Sequence, residues 1–142
     1  MARKLVTKLS KRPCFTLTEK DSLKSASEKL KKHNVGFMPV LSQNDKSVIG
    51  IISERDLARY IYKVEFNSNL LVGNIMTKNI ISCDLNTSVT QLMEIISSHK
   101  IRHVPIIEKK KLLGIVSIGD VVNHIIDQYK DENQQLRNFI NQ

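Results

Sequence analysis

Two short stretches of the chain place a serine and an aspartate three residues apart, directly after a glycine and two apolar residues. Residues 50–56 read GIISERD and residues 114–120 read GIVSIGD. If Ser53 and Ser117 begin helices, the free N–H groups there attract phosphate. The carboxylates of Asp56 and Asp120 can each accept two hydrogen bonds, which suits the neighbouring hydroxyls of a ribose. The alternative is that each stretch is an ordinary helix cap.

The similarity between the two stretches extends upstream, where VGFMPV at residues 35–40 matches IRHVPI at residues 101–106. Ser22 matches Ser88 and Pro39 matches Pro105 at an offset of 66 residues, which falls to 64 between Asp56 and Asp120. A constant offset with one small change indicates a duplicated unit whose last loop is two residues shorter in the second copy. Ligands commonly bind in clefts between such units. Two matching copies therefore favour ligand binding over capping alone.

The order of apolar and polar residues predicts the same elements in both units. After Asp21 or Ser22, which can cap it, a helix runs to residues 34–36, where Gly36 can adopt a positive φ. Two strands and a second helix follow, and a short strand precedes the first helix of each unit. The expected strands lie near residues 14–17, 37–41, 48–53, 80–82, 104–107 and 112–117. The last helix begins at residues 121–126 and can continue from Tyr129 to Ile140. The fold class is α/β (α+β).

This order, with these residues, closely resembles the cystathionine-β-synthase (CBS) domain family, whose tandem pairs are called Bateman modules. The resemblance covers residues 11–126 and depends on the strands around Pro39 and Pro105, the two GxxSxxD stretches, and VGNIMT at residues 72–77. It implies two β-α-β-β-α repeats packed with pseudo-two-fold symmetry. We expect repeat 1 over residues 8–66, repeat 2 over 67–128, and a C-terminal helical extension over 129–142.

The resemblance also implies a function. Family members are regulatory modules that commonly bind AMP, ADP, ATP or S-adenosylmethionine between the repeats, and that pair into disc-shaped homodimers. We therefore expect an adenine nucleotide as regulatory ligand, no required cofactor, a homodimer, and a separate effector protein whose identity is unknown. A purely structural dimerisation module is an alternative.

The candidate ligand-binding residues fall into three groups. The strand position that the family places beside the cleft holds Arg102 and His103, which suit phosphate; the alternative is a surface pair on an edge strand. The first copy has Gly36 and Phe37 at these positions, so its positive charge must come from elsewhere, and Arg55 is the candidate. Adenine would need an apolar slot with backbone groups at its rim. The predicted walls of the slot are Met38, Pro39, Val104 and Pro105. The predicted backbone groups belong to the segments before the first strand of each repeat, which contain Cys14, Thr77 and Ile80. Met38 and Val104 could instead be core residues.

Composition limits the remaining possibilities. The 142 residues fit one domain or two halves that share a core, since a half of this size alone would be marginal. No apolar run is long enough for a membrane span, and the two cysteines show neither metal-ligand nor disulfide spacing, so we expect a cytoplasmic protein. The net charge of +8 also raises nucleic-acid binding as an alternative, but aromatic residues make up only 5% and offer no stacking platform. No catalytic set or glycine-rich phosphate loop is evident, which argues against an enzyme.

Overall fold

The computed structural model describes residues 2–63 and 69–141. The first half contains helix α1, strand β1, helix α2, strands β2 and β3, and helix α3. The second half contains helices α4 and α5, strands β4 and β5, and helix α6. In chain order they span Ala2–Leu9, Leu17–Thr18, Leu23–His33, Phe37–Leu41, Val48–Ser53, Glu54–Lys63, Val72–Ile75, Val89–His99, His103–Glu108, Lys111–Ser117 and Ile118–Ile140.

Each repeat is built around one antiparallel pair of strands in the same register. In the first, β2 pairs with β3 and Phe37 lies opposite Ser53; in the second, β4 pairs with β5 and His103 lies opposite Ser117. Strand β1 runs parallel to β2 and completes a three-stranded sheet. The matching strand expected at residues 80–82 is reduced to one parallel bridge at Cys83. The α+β repeat unit is therefore present twice.

Helix ends confirm the predicted starts and correct one predicted stop. Ser22 caps α2 by accepting a hydrogen bond from the Ser25 N–H at 3.1 Å, and Ser88 does the same for α5. The residue that ends α2 in the left-handed region is Asn34, with φ of 53°, so the expectation for Gly36 was wrong. Asparagine tolerates this region because its short polar side chain can bond locally. The last helix begins at Ile118, earlier than expected, because Ser117 caps it.

The buried apolar residues that the structure describes form two separate clusters, so the expectation of a shared core was wrong. One cluster belongs to the first repeat and contains Leu23, Met38 and Ile52. The other belongs to the second repeat but also takes in three residues of α1, which are Leu5, Val6 and Leu9. The first helix of the chain thus packs on the second repeat. Within residues 2–63 and 69–141, no helix is both long enough and apolar enough to cross a membrane.

Candidate functional site

Two clefts lie between the repeats. The first has a volume of about 420 Å³ and is lined by Gly36, Phe37, Ile51, Ser53, Glu54, Arg55, Asp56, Arg59, Thr77, Asn79, Ile81, Lys100, Ile101, Arg102 and His103. The second has a volume of about 520 Å³ and is lined by Arg12, Pro13, Cys14, Phe15, Asn34, Val35, Gly36, Phe37, His103, Ile115 and Ser117. Each cleft is large enough for a small-molecule ligand.

The first cleft combines Ser53 and Asp56 with the start of β4, and the second combines Ser117 with the start of β2, whereas Asp120 lines neither cleft. Arg102 of the second repeat therefore lines the first cleft, together with Asp56. The reason is the packing of the repeats, which places the start of β4 beside the N-terminus of α3. His103 lines both clefts. The first cleft therefore contains Arg102 as well as Arg55, the cation predicted for it.

Both aspartates take part in a helix cap. The Ser53 N–H and hydroxyl donate to Asp56 Oδ2 at 3.0 Å each, and the Asp56 N–H donates back to Ser53 Oγ at 3.2 Å. At α6, the Ser117 N–H donates to Asp120 Oδ2 at 2.9 Å. Among the described residues, Asp56 Oδ1 accepts only a long 3.4 Å hydrogen bond, from the Thr77 hydroxyl, and therefore retains capacity for a ligand. Capping and ligand binding are compatible at Asp56.

Asp120 differs because Arg12 binds it. The guanidinium donates from Nη1 to Oδ1 at 3.0 Å and from Nη2 to Oδ2 at 2.8 Å, and Nη2 also donates to the Ile115 carbonyl at 2.8 Å. Burial alone would raise the pKa of Asp120, but the hydrogen bonds from Arg12 and Ser117 hold it below its usual value. The hydrogen bond to Asp120 likewise raises the pKa of Arg12. Arg12 was not predicted as a site residue; the signal for it was a basic residue at the position that matches Lys78.

Positive charge is concentrated in the first cleft. Arg55 and Arg59 lie one turn apart on α3, and Lys100 and Arg102 lie just before the start of β4. Arg55 and Arg102 are both exposed, so they can contact a ligand that enters the cleft. Arg59 and Lys100 were not predicted as site residues, although Arg59 follows Arg55 at i, i+4 on a predicted helix. In the second cleft, burial lowers the pKa of His103, which favours its neutral form.

The apolar walls come from other residues than those expected. Met38 and Val104 are completely buried in the two cores, Pro39 and Pro105 are buried as well, and none of the four lines either cleft. Successive residues of a strand point to opposite faces, so the burial of both members of each adjacent pair shows that β2 and β4 are covered on both faces there. Phe37 and three isoleucines line the first cleft instead: Ile51, Ile81 and Ile101.

The segments that enter each repeat reach the clefts as expected, with one exception. Thr77 lines the first cleft and is fixed to β3 by two 2.9 Å backbone hydrogen bonds with Ile51. Cys14 lines the second cleft, and burial raises the pKa of its thiol. Ile80 is half-buried and does not line either cleft; its neighbours Asn79 and Ile81 do.

The glycine that opens each serine–aspartate stretch has a packing role. A Cβ added at Gly114 would lie 2.8 Å from the Leu9 carbonyl oxygen, and one at Gly50 would lie 3.0 Å from the Thr77 carbonyl oxygen. In each repeat the entering segment therefore crosses the strand at a distance that only glycine permits. Among residues 2–63 and 69–141, no three histidine, cysteine or acidic side chains are grouped closely enough to hold a metal ion.

Two copies of one α+β unit with clefts between them define a tandem regulatory module. The chain belongs to the CBS domain family, whose model matches residues 6–63 and 72–127. It is 34% identical over 127 residues to the CBS domain-containing protein CBSX3, mitochondrial, of Arabidopsis thaliana, covering 87% of this chain. The chain spans 62% of the length of that plant relative.

Solved structures show the same fold. A CBS-domain protein from Agrobacterium tumefaciens is 36% identical and superposes with a TM-score of 0.76. The alignment covers 86% of this chain and 96% of the other. The CBS domain pair of protein MJ0100, solved with 5′-methylthioadenosine and S-adenosyl-L-methionine, has a TM-score of 0.76 at 23% identity, covering 87% of this chain and 96% of the other. The CBS-pair fold inferred from the repeats is confirmed.

Proposed function

We propose that the chain is a regulatory sensor that binds an adenine nucleotide, AMP, ADP or ATP, in the first cleft. The observation that carries this proposal is the presence of two complementary features in one cleft. Asp56 offers a carboxylate oxygen with spare acceptor capacity, and four cationic side chains, Arg55, Arg59, Lys100 and Arg102, lie around it. A carboxylate suits ribose hydroxyls, and clustered cations suit phosphate.

The remaining residues that line the first cleft can bind the adenine base. Phe37 offers an aromatic ring and Ile51, Ile81 and Ile101 offer apolar surface for the faces of adenine. The backbone between Thr77 and Ile81 runs along the same cleft and can pair with the edge of the base. The pair of adenosine derivatives bound by protein MJ0100 supports this class of ligand.

The output of the module is a change in a partner protein rather than a chemical reaction. A nucleotide bound in the first cleft would contact Asp56 of the first repeat and Arg102 of the second repeat. Its binding therefore favours one relative arrangement of the two repeats. We propose a homodimer as the assembly that transmits this change. Helix α6 supports it, because the apolar side chains of Ile126, Tyr129 and Phe139 are exposed along its length.

Isothermal titration calorimetry with AMP tests the nucleotide site. Asp56→Ala should weaken AMP binding by about ten- to a hundredfold, the effect of losing charge-assisted hydrogen bonds of about 1.5–3 kcal/mol. Asp120→Ala is the matched control, since it removes the equivalent cap and should leave the affinity of the first cleft unchanged. Equal binding to wild type and Asp56→Ala, or no binding of any adenine nucleotide to wild type, would rule the proposal out.

A further inference from the structure

We propose that Arg12 acts as an internal occupant of the second cleft, so that Asp120 is closed to ribose and the chain binds one adenosine ligand rather than two. This inference rests on the proposed function of the first cleft. It concerns the difference between two aspartates that the duplication made equivalent. Within the part of the chain that the structure describes, one oxygen of Asp56 has a single long contact, whereas both oxygens of Asp120 are held by the Arg12 guanidinium.

The ion pair between Arg12 and Asp120, and not a lack of volume, closes the second cleft to ribose. The second cleft, at about 520 Å³, is larger than the first at about 420 Å³. The difference lies in the acceptor, because the bidentate pair already engages both oxygens of Asp120 with a charged donor, and a ribose diol would have to compete with that donor. The Asp120 side chain is only 19% exposed, so little of the carboxylate is left for a second partner.

The backbone presents Arg12 in this position before any ligand arrives. Helix α1 is anchored on the second repeat through Leu5, Val6 and Leu9, and the Arg12 N–H donates to the Leu9 carbonyl at 3.1 Å. The third hydrogen bond of the guanidinium, to the Ile115 carbonyl, fixes its orientation. A neutral ribose would have to displace a charged group that is held at three points.

The first repeat shows what the position looks like without such a contact. The carbonyl of Ile51, which matches Ile115, accepts a hydrogen bond from the backbone N–H of Thr77. Lys78, which matches Arg12, is exposed, and no ion pair joins it to Asp56 among the described residues. The duplicated unit has thus kept the aspartate in both copies and supplied an internal cation to only one. The raised pKa of Arg12 and the lowered pKa of Asp120 agree with a stable pair.

Equilibrium dialysis with labelled adenosine tests the proposal. Adenosine is the probe because it has no phosphate, so removing the charge of Arg12 does not itself weaken binding. Wild type should bind one adenosine per chain and Arg12→Ala should bind two, with the affinity of the second cleft raised at least tenfold. Lys78→Ala, the matched control, should still bind one. Adding Asp120→Ala to Arg12→Ala should return the number to one, which assigns the new site.

The outcomes separate this inference from the proposed function. Two sites in wild type, or one site in both wild type and Arg12→Ala, overturn the closure of the second cleft and leave the first-cleft proposal standing. No adenosine site in wild type and one in Arg12→Ala keeps the closure, and the first-cleft proposal is then overturned if AMP also fails to bind wild type. No adenosine site in either protein overturns the closure, and the AMP titration again decides the first-cleft proposal.

A thermal double-mutant cycle tests the pair without ligand. Arg12→Ala and Asp120→Asn should each lower the melting temperature, and the double variant should lose no more than the larger single loss. Asn is chosen because its side-chain oxygen can still cap α6. Losses that simply add would show that the pair does not hold in solution and would overturn the proposal.

Discussion

Phe37 and His103 occupy equivalent positions of the two repeats and stack on each other, with 5.0 Å between ring centroids and 12° between ring planes. Both rings line both clefts, so the stack is the partition between them. The stacked rings hold the starts of β2 and β4 side by side at the interface between the repeats. Each cleft is therefore lined by residues from the strand start of the opposite repeat.

The cations of the first cleft should recognise phosphate. We expect the double variant Arg55→Ala, Arg102→Ala to weaken AMP binding by about ten- to a hundredfold while adenosine binding changes little, because only charge-assisted contacts are lost. Calorimetry with both ligands measures the difference. Lys31→Ala, an exposed charge on α2, is the control. Rising salt should also narrow the wild-type preference for AMP. Equal losses for the two ligands would contradict the assignment.

His103 should make stability depend on pH. Burial lowers its pKa, so the unfolded chain takes up a proton at a higher pH than the folded chain does. The stability associated with the neutral ring is therefore present above about pH 6.5 and is lost as the pH falls through that value. Melting temperatures between about pH 7.5 and 5.5 should fall less in His103→Gln than in wild type. Parallel curves for the two proteins would show that His103 does not contribute.

Gly114 should be intolerant of a side chain. Gly114→Ala should destabilise the fold by roughly 1–3 kcal/mol, because the new Cβ meets the Leu9 backbone and must push α1 from the second repeat. Chemical denaturation measures the loss. Gly119→Ala is the control, since its Cβ would meet only Ser117 Oγ at 3.6 Å, and alanine favours helix by up to about 1 kcal/mol. Equal stability of the two variants would contradict the close crossing.

The exposed face of α6 should mediate assembly. We expect a homodimer in solution, and the double variant Leu136→Ser, Phe139→Ser should weaken it because these side chains are 58% and 75% exposed in the single chain. Light scattering over a range of concentrations tests this, with Gln135→Ser on the same helix as control. A wild-type mass of 16.2 kDa at micromolar concentration would refute the dimer.

The sequence by itself determined the features that depend on neighbours along the chain. The caps at Ser53 and Ser117 join residues three apart, and the two hairpins follow from local apolar runs, so the repeat, its elements and the CBS family could all be predicted. The spacing within each GxxSxxD stretch also predicted that an aspartate lies in the first turn of a helix in each repeat. It could not assign Met38 to the core or to a cleft wall, because an apolar residue on a short strand suits either environment.

Only the tertiary structure decided how the two copies share their residues. Arg12 and Asp120 are 108 positions apart, and although the repeat matches Arg12 with Lys78, no local pattern shows that Arg12 reaches Asp120. Arg102 reaches Asp56 rather than Asp120 because the repeats pack with the strand start of each beside the helix start of the other. Duplication fixes which residues are equivalent, but the difference between the clefts comes from contacts across the interface, where one copy has an arginine bound to its aspartate and the other leaves the acceptor available.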